Sequence, residues 1–138
     1  MTQTQRKRRI LVVDDDSVMR DLMRDVLTRH GFQVFTAESG LKLVSKLKVS
    51  RPDLVILDIA MSWINGFDLC RFICGTGHQH PPVMFVSGHH TPENVDRGYQ
   101  CGAVDFLAKP FDIQELVRRV EALVNEERSG VGDVANER

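Results

Sequence analysis

ILVVDDDS, residues Ile10–Ser17, runs four aliphatic side chains directly into three adjacent carboxylates, Asp14, Asp15 and Asp16. Ionised carboxylates held side by side repel one another, and burial strengthens the repulsion. A helix cap accounts for part of the pattern, because Asp and Ser are favoured at an N-cap and acids suit a first turn. Asp16 and Ser17 fit that role. Asp14 and Asp15 are left at the mouth of an apolar strand and require a cation.

The continuous apolar character of Ile10–Val13 recurs at Leu54–Leu57, Val83–Val86 and Phe106–Ala108, with a weaker run at Gln33–Thr36. Strands that do not alternate with polar residues are those buried on both faces, as in a parallel sheet. Helix-period segments lie between them. Val18, Met19, Leu22, Met23, Val26 and Leu27 repeat at i, i+3, i+4 before His30-Gly31, and Leu43, Val44 and Leu47 fall between Ser39 and Pro52. Phe67 to Ile73 ends at Gly75, and Thr91-Pro92 supplies an N-cap and a first-turn proline. Asp112 caps a last segment carrying Ile113, Leu116, Val117, Val120, Leu123 and Val124. Five strands alternating with five helices predict an α/β fold: a five-stranded parallel sheet, right-handed crossovers and helices on both faces. The expected domain spans 9–126, after a basic flexible lead at 1–8. A flexible tail or linker is expected over 127–138, around Ser129-Gly130-Val131-Gly132.

The 138-residue chain is 42% hydrophobic and 27% charged, an ordinary globular composition. Its net charge of −1 gives no general case for nucleic acid or membrane as partner. The basic run Arg6–Arg9 precedes an apolar run too short for an export signal, which needs roughly 7–15 residues. No segment approaches the ~20 apolar residues of a membrane span. A cytoplasmic location is expected, with Cys70, Cys74 and Cys101 as free thiols.

In an open α/β sheet, ligands bind beyond the carboxyl ends of the strands. Asp14 and Asp15 follow the first strand, Asp58 follows Leu54–Leu57, Ser87 follows Val83–Val86, and Lys109 follows the last strand ahead of Pro110. Carboxylates, waters and phosphate oxygens form the usual Mg²⁺ environment. Asp58 can then act as a carboxylate nucleophile forming an aspartyl-phosphate. Mg²⁺, Lys109 and the Ser87 hydroxyl would neutralise charge on the transferred phosphoryl group.

VVDD at Val12–Asp15, LVILDIAM at Leu54–Met61 with Gly66, VSG at Val86–Gly88 and FLAKPF at Phe106–Phe111 resemble, in order and spacing, the receiver domain of two-component response regulators. The resemblance runs from Ile10 to about Val124 and implies a flavodoxin-like strand order, 2-1-3-4-5. It implies phosphorylation of Asp58 by a sensor histidine kinase or histidine phosphotransfer protein. Mg²⁺ would be held by Asp14, Asp15, Asp58 and the Ala60 backbone carbonyl, with Lys109 and Ser87 assisting transfer. Ser87 and Phe106 would form a switch pair, and Lys109-Pro110 a cis peptide. The chain would be no enzyme beyond its own phosphorylation and dephosphorylation. Its expected output is the helix 4–strand 5–helix 5 face around Val95, Tyr99, Phe106 and Arg118-Arg119, engaging a downstream protein or a second copy in a homodimer. Two departures stand out: Ser62 where the family usually has proline, and Ser87-Gly88 where it often has Thr-Ala. Ala60 and His89 fill positions that in this family face the phosphoryl site and tune its hydrolysis.

Other readings compete. A degenerate receiver would bind partners without phosphorylation. VVDDDS also fits the opening of haloacid-dehalogenase-like phosphatases, with Asp14 as nucleophile and Asp16 as acid. That reading lacks a later acidic pair on a strand and leaves Asp58 without a role. Flavin binding fails because adjacent carboxylates repel the cofactor phosphate unless a metal intervenes. Cys70, Cys74, His78 and His80 have zinc-type ligands, but the cysteines sit among Phe67, Leu69, Phe72 and Ile73 and read as core. Trp63, five residues beyond Asp58, is expected to report ion binding through the loop they share.

Overall fold

Five short strands, β1 (Arg9–Val13), β2 (Gln33–Ala37), β3 (Leu54–Leu57), β4 (Val83–Ser87) and β5 (Asp105–Ala108), form one parallel sheet in the order β2-β1-β3-β4-β5. They alternate with α1 (Ser17–Arg29), α2 (Gly40–Ser50), α3 (Gly66–Cys74), α4 (Pro92–Gln100) and α5 (Ile113–Asp133). This is the flavodoxin-like arrangement expected from the sequence. The computed structural model describes residues 6–133 except Trp63 and His78, with side chains described to residue 125. The Trp63 reporter and the His78 member of the zinc-type set therefore lie outside the described residues.

β1, β3 and β4 are buried on both faces because the period of 2 sends successive side chains to two separate cores, while the edge strand β5 buries only Leu107 fully. Ile10, Val12, Leu54, Ile56, Met84 and Val86 face α1 and α5, where Met23, Leu27, Leu116 and Val120 close over them. Leu11, Val13, Val55, Leu57, Val83 and Phe85 face Leu43 of α2 and Phe67, Cys70 and Ile73 of α3. The caps are local: Asp16 accepts from the Val18 and Met19 amides, Ser39 from Lys42, and Thr91 from Asn94. Among α4 residues only Gly98 is buried, so this helix rests lightly on the sheet.

Two expectations at the chain ends change. α5 continues to Asp133, through residues assigned to a tail. Leu116, Val117, Val120 and Val124 dock its first three turns, and propagation from a docked helix adds a hydrogen bond per residue, against a cost of about 1 kcal/mol for each glycine. The basic lead is also tied down: Arg6 forks onto Asp53 at 3.0 and 3.2 Å, Arg8 lies 3.7 Å from the same carboxylate, and Arg9 begins β1. An arginine fork matches a carboxylate, which the run of like charges alone did not reveal.

Candidate functional site

Parallel strands put their carboxyl ends on one edge. β1 and β3 pair with Val13 opposite Leu57, so the next residues, Asp14 and Asp58, are neighbours. Their backbones remain on the ladder: the Asp14 N–H donates to the Ala37 carbonyl and the Asp58 N–H to the Val13 carbonyl, both at 3.2 Å. β1 and β3 are also where the order 2-1-3-4-5 reverses, the switch point at which such sheets bind ligands.

Asp14 is 1% exposed and Asp58 8%. Lys109 joins them, its Nζ donating to Asp14 Oδ2 at 2.8 Å and to Asp58 Oδ2 at 2.9 Å. The Asp16 N–H donates to Asp14 Oδ1 at 3.0 Å. Burial pushes the Asp14 pKa above the ordinary carboxylate value, and the Lys109 and Asp16 bonds offset this only in part. Burial opposes the Lys109 ammonium too, but bonds and charges from both acids override it and hold its pKa above the usual lysine value. One ammonium shared by two acids therefore leaves Asp14 short of positive charge.

Around this trio, Lys109 follows β5 through a backbone bond to the Ser87 carbonyl at 2.9 Å, and Lys109-Pro110 is cis, as the resemblance implies. The Ser87 side chain is fully buried, and its hydroxyl accepts from the His89 N–H at 3.1 Å. The Phe106 ring is partly buried against Phe85, with centroids 5.8 Å apart. Asp15 is exposed. Ala60 is also exposed, its N–H directed back to Asp58 Oδ1 at 3.4 Å.

The close approach of Gly66, a motif residue, and the role of Arg20 emerge only from the structure. Gly66 begins α3 so close to β3 that a Cβ would lie 2.1 Å from the Asp58 carbonyl oxygen. Arg20 donates from Nη1 to the Asp14 carbonyl at 2.7 Å, fixing the backbone that carries the acids. Helical side chains lean toward the N-terminus, so a residue one turn beyond a capped start can reach back this way. That is the one signal that could have found Arg20.

The donor set fits a hard divalent cation, since two buried carboxylates share a single ammonium and Asp15 adds a third acid next to Asp14 in the chain. Among the described residues, however, no three His, Cys, Asp or Glu side chains are gathered closely enough to hold an ion as they stand. Asp14 and Asp58 turn to Lys109 while Asp15 faces solvent. The cysteines are otherwise engaged: Cys70 donates to the Cys101 carbonyl at 3.5 Å and Cys74 to the Gly102 carbonyl at 3.7 Å. Burial raises both thiol pKa values, away from the thiolate a metal takes. His80 Nδ1 lies 2.8 Å from the Pro81 carbonyl oxygen. Asp16, the acid of the phosphatase reading, is turned to the α1 amides at 3.0 and 3.4 Å.

The family model described as the response regulator receiver domain matches residues 10–121. The response regulator MprA of Mycobacterium tuberculosis is 37% identical over 116 residues, covering 84% of this chain and 50% of its own. The chain spans about half the length of the curated relatives it matches. The chemotaxis protein CheY4 of Vibrio cholerae superposes with a TM-score of 0.80 at 25% identity, covering 86% of this chain and 99% of that one. A response regulator receiver domain protein from Clostridium thermocellum does so with a TM-score of 0.80 at 28% identity, covering 88% and 97%.

Proposed function

Because the chain belongs to the response regulator receiver family, we propose that it is a phosphoacceptor switch of a two-component phosphorelay. Asp58 takes the phosphoryl group from a phosphohistidine on a sensor histidine kinase or histidine phosphotransfer protein. The observation that carries this reading is the Lys109 ammonium bridging Asp14 and Asp58 at the switch point. An Asp58 oxygen attacks phosphorus in line, the P–N bond breaks, and the imidazole leaves with the bonding pair. Lys109, already 2.9 Å from Asp58, passes its charge to a phosphoryl oxygen. Asp14, Asp15 and Asp58, with the Ala60 carbonyl, would hold Mg²⁺, which supplies further charge neutralisation when bound.

The signal then leaves through Ser87 and Phe106. Ser87 ends the strand beside Asp58, and the Phe106 ring packs on Phe85 beneath Gly98. α4, seated on one buried glycine, is the element this ring can release. On the α4–β5–α5 face, Arg119 bonds Glu115 at 2.7 Å, Asp105 at 2.8 Å and the Phe106 carbonyl at 3.3 Å, coupling surface charge to the switch backbone. A downstream protein or a second copy of the chain docks there. Neither nucleic acid nor membrane is a partner, and the domain works in the cytoplasm. Its only catalysis is its own phosphorylation and hydrolysis.

Incubation with Mg²⁺ and acetyl phosphate should add one phosphoryl mass that hydroxylamine removes. Asp58→Asn should take none, whereas full labelling of that variant overturns the assignment. Lys109→Ala should retain Mg²⁺ binding, since an ammonium has no acceptor atom, and lose transfer. An unlabelled yet folded parent protein would return the degenerate-receiver reading.

A further inference from the structure

The edge of the sheet opposite Asp58 carries a cavity of about 810 Å³, lined by the last turns of α2 and α3, the loops that follow them, and the lead into β1. Small-molecule sites typically measure about 300–1,000 Å³. Among the described residues, Asp53 is the one carboxylate on its wall, and it is already engaged by the Arg6 fork, the Arg9 N–H at 2.8 Å and Arg8. Three cations on the wall have no carboxylate partner among the described residues. The Arg9 guanidinium reaches the Ser50 carbonyl at 3.4 Å, and its Nε is buried without a hydrogen bond. Among the described residues, the side chains of Lys48 and Arg51 make no hydrogen bond or ion pair. Carbonyls at the ends of α2 and α3 bring partial negative charge nearby, but backbone N–H groups of Arg51 and Gly75 cap them at 3.0 Å.

The rest of the wall is mixed: Thr76, Gln79 and His80 are polar, Leu47, Pro52 and Pro81 are apolar, and Phe72 is 48% exposed despite lying in a concavity. A half-exposed ring beside unpaired cations offers stacking and charge together. The geometry points to a binding site for an aromatic anion of mononucleotide size, its ring on Phe72 and its phosphate on Arg9, Lys48 and Arg51. The site is independent of the phosphoacceptor reading and lies by the amino ends of β1, β3 and β4.

Titration of the ¹⁵N-labelled full chain with adenosine monophosphate tests it. The amides of Lys48, Arg51 and Phe72 should shift and saturate with a Kd of about 1 mM or tighter. Adenosine alone and inorganic phosphate alone should each bind about tenfold more weakly, since each keeps half of the contacts. The double variant Lys48→Gln, Arg51→Gly should weaken binding by about tenfold or more. It should fold, because Arg51 has φ 47°, a conformation glycine adopts freely. Absence of binding, shifts confined to Asp58 and Lys109, or a double variant that binds like the parent would each overturn the assignment.

Discussion

At the carboxyl edge of the sheet, Asp14 shares one lysine with Asp58 and gains a single backbone N–H. At the amino edge, Asp53 has the Arg6 fork, the Arg9 N–H and Arg8 to itself. Burial penalises both carboxylates, yet the outcomes are opposite: Asp14 is held above the ordinary carboxylate pKa and Asp53 below it. The difference lies in donors per acid. A carboxylate supplied beyond its desolvation cost strengthens the fold, whereas one supplied below it remains available to a further cation. The carboxyl edge is thus poised for chemistry, and the amino edge clamps the chain.

The largest expected effect breaks the geometry of the carboxyl edge. Gly66→Ala places a Cβ against the Asp58 backbone and should cost about 3 kcal/mol, the upper end of ordinary overpacking. Gly31→Ala makes the contrast: nothing lies within 4 Å there, so only the φ of 93° is penalised, at about 1 kcal/mol. Urea midpoints at constant slope measure both, and equal costs would show that the close approach is not what matters.

Asp53→Ala should cost about 2 kcal/mol at neutral pH, as expected for lost hydrogen bonds to a charged group. Its folded pKa is depressed, so its contribution is full above the unfolded value of about 3.9 and disappears as pH falls through the folded one. The variant and parent should therefore converge in acid. A gap independent of pH would show that the carboxylate charge is irrelevant.

Asp14→Asn in Mg²⁺-free buffer should have the opposite sign and a smaller size, raising stability at pH 7. Because the folded pKa is raised, Asp14's favourable contribution is complete below the unfolded value and is lost as pH rises through the folded value. The variant's advantage should shrink as pH falls toward about 4. A destabilised variant at pH 7 would mean that Lys109 alone satisfies both acids. The smallest change is Arg51→Gly, which should gain about 0.5 kcal/mol by relieving a left-handed residue; a loss would give the arginine side chain a structural role.

Much of the fold was written locally. Four apolar runs became β1, β3, β4 and β5, the weaker run became β2, and Asp16, Ser39, Thr91 and Asp112 stand where helices begin. Period and capping depend on near neighbours, so they can be read without coordinates. Parallel pairing then collected Asp14, Asp58, Ser87 and Lys109 on one edge, because residues after parallel strands share an end of the sheet. Only the tertiary structure decided that Lys109 reaches two acids 95 and 51 positions away, that Gly66 touches the Asp58 backbone, and that Arg20 secures Asp14. The Asp53 clamp and the cavity beside it were equally hidden. Those contacts join elements through strand register and helix packing, and neither leaves a local pattern in the chain.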